Sequence, residues 1–434
     1  MRLLHTSDWH LGQHFMGKSR FQEHQAFLDW LLTQITAHQV DALIIAGDIF
    51  DTGTPPSYAR QQYLNFVVEA QRAGCQLVVL GGNHDAVSTL EESRGVLACL
   101  NTEVIAGRQP DLSEHLLTLK NRQGEEAALF CALPFLRPRD LVSSQAGDSA
   151  AAKQQATRQA LKEIYQQLFT LAEAQRKGRA LPIIGSGHLT TLGGQTSDSE
   201  REIYIGTLDA FPASDFPAFD YLALGHLHRP QQVAGKAHWR YSGSPLPLSF
   251  NEGLKKEVLL VEFSAAQLQQ ITPLDIPCSR ALYSMSCQLD ELVPRLAKLI
   301  DTRLPLPAWL DIEILDEGYR SDLQQRIADL LEALPVEVLK VRRGKIRQTA
   351  LLLEEESPTT LEELNPHDVF GERLAREELT GDSVTQLKHR FAEVLDALEN
   401  GDNNATAPAA LASDSDLASL STTPSAATNE EDAQ

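Results

Sequence analysis

The sequence predicts an α/β fold with a mostly parallel sheet over residues 1–275. Short apolar runs, such as those in DALIIAGD and QLVVLGGN, alternate with amphipathic segments of helical period. Each apolar run in the first hundred residues ends in Asp, His, Asn or Gly. Because ligands bind outside the carboxyl ends of parallel strands, we expect these polar residues to converge on one edge of the sheet.

The predicted elements follow one another in strand–helix order. Helical periods in the first part of the chain cover 20–39, 57–73 and 150–177, and KKEVLLVEFS is a closing strand. A Pro-bearing segment, ITPLDIP (271–277), predicts a domain boundary within it. The strands ALYSMSCQL, WLDIEIL and VEVLKVRR then alternate with helices over 291–302 and 322–334, which predicts a smaller α+β domain.

Composition divides the chain into four predicted parts: 1–275, 276–350, 351–400 and 401–434. The third part is acidic with candidate helices over 369–379 and 384–398, and the fourth is a polar, acidic tail that is expected to be disordered. Residues 351–434 carry −15 of the net charge of −21. Positive and negative charges are therefore nearly balanced in the first 350 residues, so the net negative charge of the chain does not exclude a nucleic-acid partner.

Several classes of protein are excluded by simple counts. No run approaches the ~18 apolar residues of a membrane span, and MRLLHTSDWHLG becomes polar too early for a signal peptide. The five cysteines are widely spaced, without a C-x-x-C pair, which argues against a zinc ribbon or a disulfide scaffold. We therefore expect a cytoplasmic protein with buried thiols and no membrane association.

Five short motifs at predicted strand ends carry the candidate chemistry. They are D-x-H (Asp8, His10), G-D-x-F-D (Asp48, Asp51), G-N-H-D (Asn83, His84, Asp85), G-H (His188) and G-H-x-H (His226, His228). Oxygen donors mixed with imidazoles suit manganese, iron or zinc, and the absence of cysteine disfavours structural zinc. Two metals would need a bridging anion, and Asp48 is the natural candidate. Alone, each motif could equally be a turn, a helix cap or a core histidine.

Taken together and in this order, the motifs resemble the calcineurin-like metallophosphoesterases. The longer strings TSDWHLGQ, AGDIFDTGTPP, LGGNHD, GHLHRPQ and YSGSPLPLSF resemble the nuclease subunits of bacterial SbcCD-type complexes, over about residues 1–400. The resemblance implies a four-layer β-sandwich flanked by helices, a small α+β capping domain and C-terminal helices.

The resemblance also implies roles for individual residues. Asp8, His10, Asp48 and His228 would hold one metal, and Asp48, Asn83, His188 and His226 the other, with manganese favoured. His84 would contact the scissile phosphate or protonate the leaving oxygen, and Asp51 would orient His84. Asp85 is expected only to cap a helix.

One local difference from protein phosphatases indicates a diester substrate. Those enzymes place an Arg after the second Asp of this motif, whereas Asp51 is followed here by Thr52. This difference favours a nuclease, and the resemblance implies a double-strand exonuclease and single-strand or hairpin endonuclease in end processing, replication and recombination. The alternatives are a phosphomonoesterase or cyclic-nucleotide phosphodiesterase, and a non-catalytic scaffold.

Two further regions are candidates for binding partners. The string KVRRGKIR could contact DNA phosphates through five basic residues, Lys340, Arg342, Arg343, Lys345 and Arg347, or it could be a solvated edge strand. An apolar stripe in the acidic region, Leu387, Phe391, Leu395 and Leu398, could dock on the coiled-coil base of an SbcC-like ATPase or pack on the chain itself. No G-x-x-x-x-G-K-[ST] loop occurs, so ATP dependence would come from that partner. The family further implies a homodimer within a heterotetramer.

Overall fold

The computed structural model describes residues 1–141, 149–192, 210–315 and 322–344, together with residues 370, 387, 388, 390 and 391. The chain divides into two compact units, Met1–Arg347 and Gln348–Gln434. The first unit contains all the strands and helices delimited below. In the second unit, the five described residues are helical.

Within the described residues, the chain folds into the following strands and α-helices. The strands are β1 (Arg2–Thr6), β2 (His14–Phe15), β3 (Lys18–Ser19), β4 (Ala42–Ala46), β5 (Gln76–Leu80), β6 (Thr102–Ile105), β7 (Leu116–Lys120), β8 (Glu126–Cys131), β9 (Ile183–His188), β10 (Tyr221–Gly225), β11 (Gln231–Val233), β12 (Lys236–Tyr241), β13 (Glu257–Ser264), β14 (Gln267–Asp275), β15 (Leu282–Cys287), β16 (Ala308–Leu315) and β17 (Val336–Gly344). The α-helices are α1 (Phe21–Ala37), α2 (Ser57–Arg72), α3 (Val87–Glu91), α4 (Arg94–Ala98), α5 (Pro138–Leu141), α6 (Ala150–Arg176), α7 (Leu292–Leu299) and α8 (Leu323–Leu331).

Two six-stranded sheets form the larger part of the first unit. One has the order β14-β13-β1-β4-β5-β6, and the other β11-β12-β10-β9-β8-β7. In both sheets the central strands are parallel. Antiparallel pairs form both edges of the second sheet and the β14–β13 side of the first, whereas the other edge strand of the first sheet, β6, is parallel to β5. The central strands are buried on both faces, which explains why they occur in the sequence as continuous apolar runs.

The two sheets pack face to face with helices outside them. Leu3 and Ile44 of the first sheet share one buried cluster with Phe130 and Ile184 of the second. A separate cluster joins the other face of the first sheet to α1 and α2, and another joins the second sheet to α6. This helix–sheet–sheet–helix layering confirms the predicted α/β sandwich.

The third sheet lies within the segment that the sequence predicts as a smaller domain, residues 276–350. Its order is β15-β16-β17, and both strand pairs are parallel. The helices α7 and α8 connect consecutive strands and bury Leu292, Leu296 and Ile327 against them. Parallel pairing follows, because each helical crossover returns the chain to the same end of the sheet. None of the described helices is long and apolar enough to cross a lipid bilayer.

Candidate metal centre

The predicted ligands follow the strands of both sheets and meet in one buried cluster. Asp8 and His10 follow β1, Asp48 follows β4, His188 ends β9, and His226 follows β10. The side chains of these five residues are at most 3% exposed. The site therefore lies where the carboxyl ends of the parallel strands converge, as expected from the sequence.

Four of these residues have left-handed backbone conformations. The φ angles are 56° at Asp8, 49° at His10, 51° at Asp48 and 98° at His226. The loops are joined by hydrogen bonds, because the amides of Asp8 and His10 donate to the carbonyls of Gly47 and Asp48, both at 3.0 Å. Such conformations cost of order 1–3 kcal/mol each, and they persist only where surrounding contacts enforce them.

Asp48 lies at the centre of the cluster. Its Oδ2 is 3.3 Å from His188 Nε2 and 3.7 Å from His10 Nε2, while its Oδ1 accepts a 2.8 Å hydrogen bond from the His84 amide. Burial alone would raise the pKa of Asp48, yet the neighbouring imidazoles, His188 above all, hold it well below the usual value. The carboxylate is therefore an anion facing histidines on two sides.

Glycine at two positions makes this close packing possible. A Cβ at Gly82 would overlap Asp48 Oδ1, and a Cβ at Gly47 would overlap His188 Nδ1. Gly47 also has a φ of 96°, which favours glycine.

His188, Asn83 and His226 form one half of the cluster. His188 Nδ1 lies 2.9 Å from the Ala46 carbonyl, which places the proton on that nitrogen and directs Nε2 into the site. Asn83 Oδ1 is 2.9 Å from His188 Nε2 and 3.1 Å from His226 Nδ1. Lone-pair atoms of Asn83, Asp48 and His188 thus face one another, an arrangement that a cation would satisfy.

The other half contains Asp8, His10 and His228. One donor atom from each of these residues lies within 4.8 Å of the others. His10 Nε2 is fully buried and has no hydrogen-bond partner among the described residues. A buried, unpaired imidazole nitrogen is costly, and coordination of a metal would satisfy it. The donor chemistry on both sides of Asp48 therefore fits divalent metals.

His84 borders this cluster, with its ring centroid 4.6 Å from that of His10. Its Nδ1 lies 2.8 Å from the backbone carbonyl of Asp51. The Asp51 carboxylate is 3.2 Å from His10 Nδ1. Asp51 thus contacts both histidines, with its main chain facing one ring and its side chain facing the other.

Asp85 connects two loops of the site and does not cap a helix. Its carboxylate accepts hydrogen bonds from the amides of Gly82, Ile49 and Phe50 at 2.9–3.1 Å, whereas α3 begins after Ala86 without a side-chain cap. Burial, together with the charge of Asp48, raises the pKa of Asp85 to about 6. The helix-cap expectation was therefore wrong, because the tertiary fold brings the Ile49 and Phe50 amides to this carboxylate.

Two buried residues beside His228 were not anticipated from the sequence. Glu252 and Lys256 form an ion pair of 2.6 Å, and Glu252 Oε1 is 3.6 Å from His228 Nδ1. Burial would raise the pKa of Glu252, but His228 and Lys256 hold it below its usual range. Their E-x-x-x-K spacing is visible in the sequence, but nothing there places it against a histidine 24 residues away.

The candidate DNA and partner residues are only partly described. Lys340, Arg342 and Arg343 are exposed on β17, and Arg342 pairs with Asp311 at 2.7 Å. Lys345 and Arg347 lie outside the described residues.

The apolar stripe is described at two of its four positions. Leu387 is 41% exposed, and the Phe391 ring stacks on Phe370 with centroids 3.9 Å apart. Leu395 and Leu398 lie outside the described residues.

Comparisons with known proteins match two parts of the chain. Residues 1–230 match the calcineurin-like phosphoesterase family, and residues 278–378 match a family described as the type 5 capsule protein repressor C-terminal domain. The chain is 50% identical to the D subunit of nuclease SbcCD from Escherichia coli (strain K12), over 92% of this chain and 98% of that protein. The protein of the same name from Rhodobacter capsulatus is 36% identical, covering 77% and 85% of the two chains. That from Bacillus subtilis is 33% identical, covering 72% and 79%.

Proposed function

The chain belongs to the calcineurin-like phosphoesterases, within the group of SbcCD nuclease D subunits, and we propose that it is a two-metal DNA nuclease working with an ATPase partner. Membership of this family makes it a metal-dependent phosphodiester hydrolase. The observation that carries the two-metal proposal is the buried Asp48 carboxylate, which has donor clusters on both sides.

The proposed ligands divide into two sets that share Asp48. The first set is Asp8, His10, Asp48 and His228, and the second is Asp48, Asn83, His188 and His226. Manganese is the proposed metal, because carboxylate, amide and imidazole donors occur together without a thiolate. When bound, divalent cations supply Lewis acidity toward a phosphoryl oxygen and toward the attacking water.

His84 is the proposed proton donor to the leaving sugar oxygen. The Asp51 carbonyl at 2.8 Å accepts the Nδ1 proton, so the ring is held in one orientation and Nε2 is the atom that gains and releases a proton. The His84 amide also donates to Asp48, which ties the position of this ring to the metal ligands. Asp51 is therefore a positioning residue in this proposal, with its carboxylate toward His10.

The proposed substrate is a DNA phosphodiester at a duplex end, a hairpin or a single strand. Thr52 and Gly53 follow Asp51, so this loop lacks the guanidinium that would grip a terminal phosphomonoester. The exposed cations of β17 are proposed to contact the DNA backbone, together with Lys345 and Arg347. The proposed activities are double-strand exonuclease and single-strand or hairpin endonuclease, with the ATP dependence supplied by the partner.

The proposed partner is an SbcC-like ATPase with a coiled coil. Support comes from the relatives, which carry the name of a D subunit of SbcCD. Leu387 and Phe391, with Leu395 and Leu398, are proposed to dock on it, and the exposed Leu387 is consistent with this. A homodimer within the complex is also proposed. Light scattering of the purified chain would then give about twice the 47.9 kDa chain mass, and the single-chain mass would exclude a stable dimer.

Hydrolysis by the purified chain in manganese tests the proposal. A hairpin-ended duplex and p-nitrophenyl phosphate are supplied separately to the wild type, Asp48→Ala and His84→Ala. We expect cleavage of DNA alone, its loss in both variants, and retained manganese binding in His84→Ala. Turnover of the monoester with intact DNA would show a phosphatase. Wild-type inactivity that persists after adding an SbcC-type ATPase and ATP would support a scaffold.

A further inference from the structure

A buried pair of opposite charges lies behind His228, on the segment that precedes β13. The side chains of Glu252 and Lys256 are 0% and 4% exposed, and their charged atoms are 2.6 Å apart. Removing two ions from water costs several kcal/mol per ion, and their mutual attraction often fails to repay this. Stability alone therefore does not explain why this buried ion pair is present, and another role must be sought for it.

Lys256 uses its ammonium group to hold the backbone beside His228. Nζ donates to the His228 carbonyl at 3.1 Å, to Ser244 Oγ at 3.0 Å and to Glu252 Oε2. An ammonium group has three protons to donate, so it can serve these three acceptors together. The His228 carbonyl also accepts the amide of Ser244 at 3.1 Å, so this peptide is fixed from two directions.

Glu252 divides its two carboxylate oxygens between the ring and the loop. Oε2 accepts the Leu248 amide at 3.1 Å as well as Lys256, which fixes the carboxylate. Oε1 is 3.6 Å from His228 Nδ1. An anionic oxygen beside Nδ1 favours the tautomer with its proton there, which leaves the Nε2 lone pair for a metal. At His188 the Ala46 carbonyl has the corresponding position.

We propose that Glu252 and Lys256 are positioning residues for His228, with the carboxylate selecting its tautomer and the ammonium fixing its backbone. This inference rests on the proposed function, in which His228 is a metal ligand. Loss of a carboxylate behind a metal-binding histidine typically lowers metal affinity by 10–100-fold. We therefore expect Glu252→Gln to weaken one of two manganese sites by roughly that factor.

A neighbouring glutamate provides the matched control. Glu257 is 12% exposed and pairs with Arg240 at 3.5 Å, but it lies on β13 and its pair does not include His228. Glu257→Gln therefore removes a largely buried, paired carboxylate five residues away. Manganese binding by this variant should equal that of the wild type.

Calorimetric titration of the full chain with manganese, paired with thermal melts of the metal-free protein, tests the proposal. The double variant Glu252→Gln/Lys256→Met removes both charges, so the stability of the metal-free protein should rise toward wild type from that of Glu252→Gln. Its weakened site should stay weak, because the carboxylate is still absent. Recovery of manganese affinity together with stability would show a merely structural pair, and unchanged affinity in Glu252→Gln would also overturn the inference. Fewer than two sites in the wild type would instead contradict the two-metal proposal.

Discussion

Replacing Glu23 by Gln should destabilise the first unit strongly. Glu23 Oε1 accepts hydrogen bonds from Arg20 Nε at 3.1 Å and from Arg280 Nε at 2.8 Å. All three side chains are at most 7% exposed. One carboxylate is therefore shared by two buried guanidinium groups, one at the start of α1 and the other just before β15.

The expected loss follows from what surrounds the two arginines. Arg280 lies over the Trp309 ring at 4.2 Å from its centroid, so it is packed and cannot turn toward water. The cavity beside Arg20 has a volume of about 10 Å³, room for about one water molecule. Removing one partner of a buried ion pair typically costs about 3–5 kcal/mol. Because two cations lose the anion that they share, we expect about 4 kcal/mol for Glu23→Gln.

Urea unfolding followed by tryptophan fluorescence measures this loss, because both Arg20 and Arg280 lie over the Trp309 ring. The control is Glu262→Gln, which breaks an exposed ion pair: the side chains of Glu262 and Arg2 are 31% and 47% exposed. This change should lower the free energy of unfolding by less than ~1 kcal/mol. The double variant Glu23→Gln/Arg280→Met should recover part of the loss. A cost below ~1 kcal/mol for Glu23→Gln would refute the argument that these charges are poorly solvated.

Two further predictions concern the metal cluster and acid stability. Gly82→Ala places a Cβ on Asp48 Oδ1 and should abolish manganese binding and DNA cleavage. The control is Gly95→Ala, whose Cβ meets nothing within 4 Å and which should keep both activities. Equal activity of the two variants would contradict this prediction. Burial lowers the pKa of His5 to about 3 in the folded protein. Below pH ~6.5 the imidazole is therefore protonated in the unfolded chain but stays neutral in the native state. The free energy of unfolding then falls by up to ~1.4 kcal/mol for each pH unit. Urea unfolding at pH 7.5 and 5.5 should therefore show a smaller loss for His5→Gln than for the wild type, and an equal loss would exclude His5 as a cause.

The helices show which parts of the fold local sequence determines. The period over 57–73 predicts α2 almost to the residue, and that over 150–177 does the same for α6. The segment 291–302 was predicted as helix, but α7 ends at Leu299. Asp301 accepts hydrogen bonds from the backbone and side chain of Arg303, and this local turn competes with another helical turn.

Long-range pairing is the part that local patterns do not determine. The antiparallel partner of β1 is β13, more than 250 residues later, and nothing in either apolar run specifies that choice. The candidate ligands could be proposed from the sequence because each lies in a short motif at the end of a predicted strand. Glu252 and Lys256 were not predictable, because they lie on irregular chain and meet His228 only through the tertiary fold.

Left-handed backbone recurs at several residues of the metal cluster. Asp8, His10 and Asp48 adopt left-handed conformations that L-residues avoid, and hydrogen bonds between the two loops maintain them. His226 is held in the same way, since its amide donates to Asp8 Oδ1 at 2.9 Å. The strain is thus supported by the sheets on which these loops are built. A site held in this manner is organised before any metal arrives, so binding energy need not be spent on ordering the ligands.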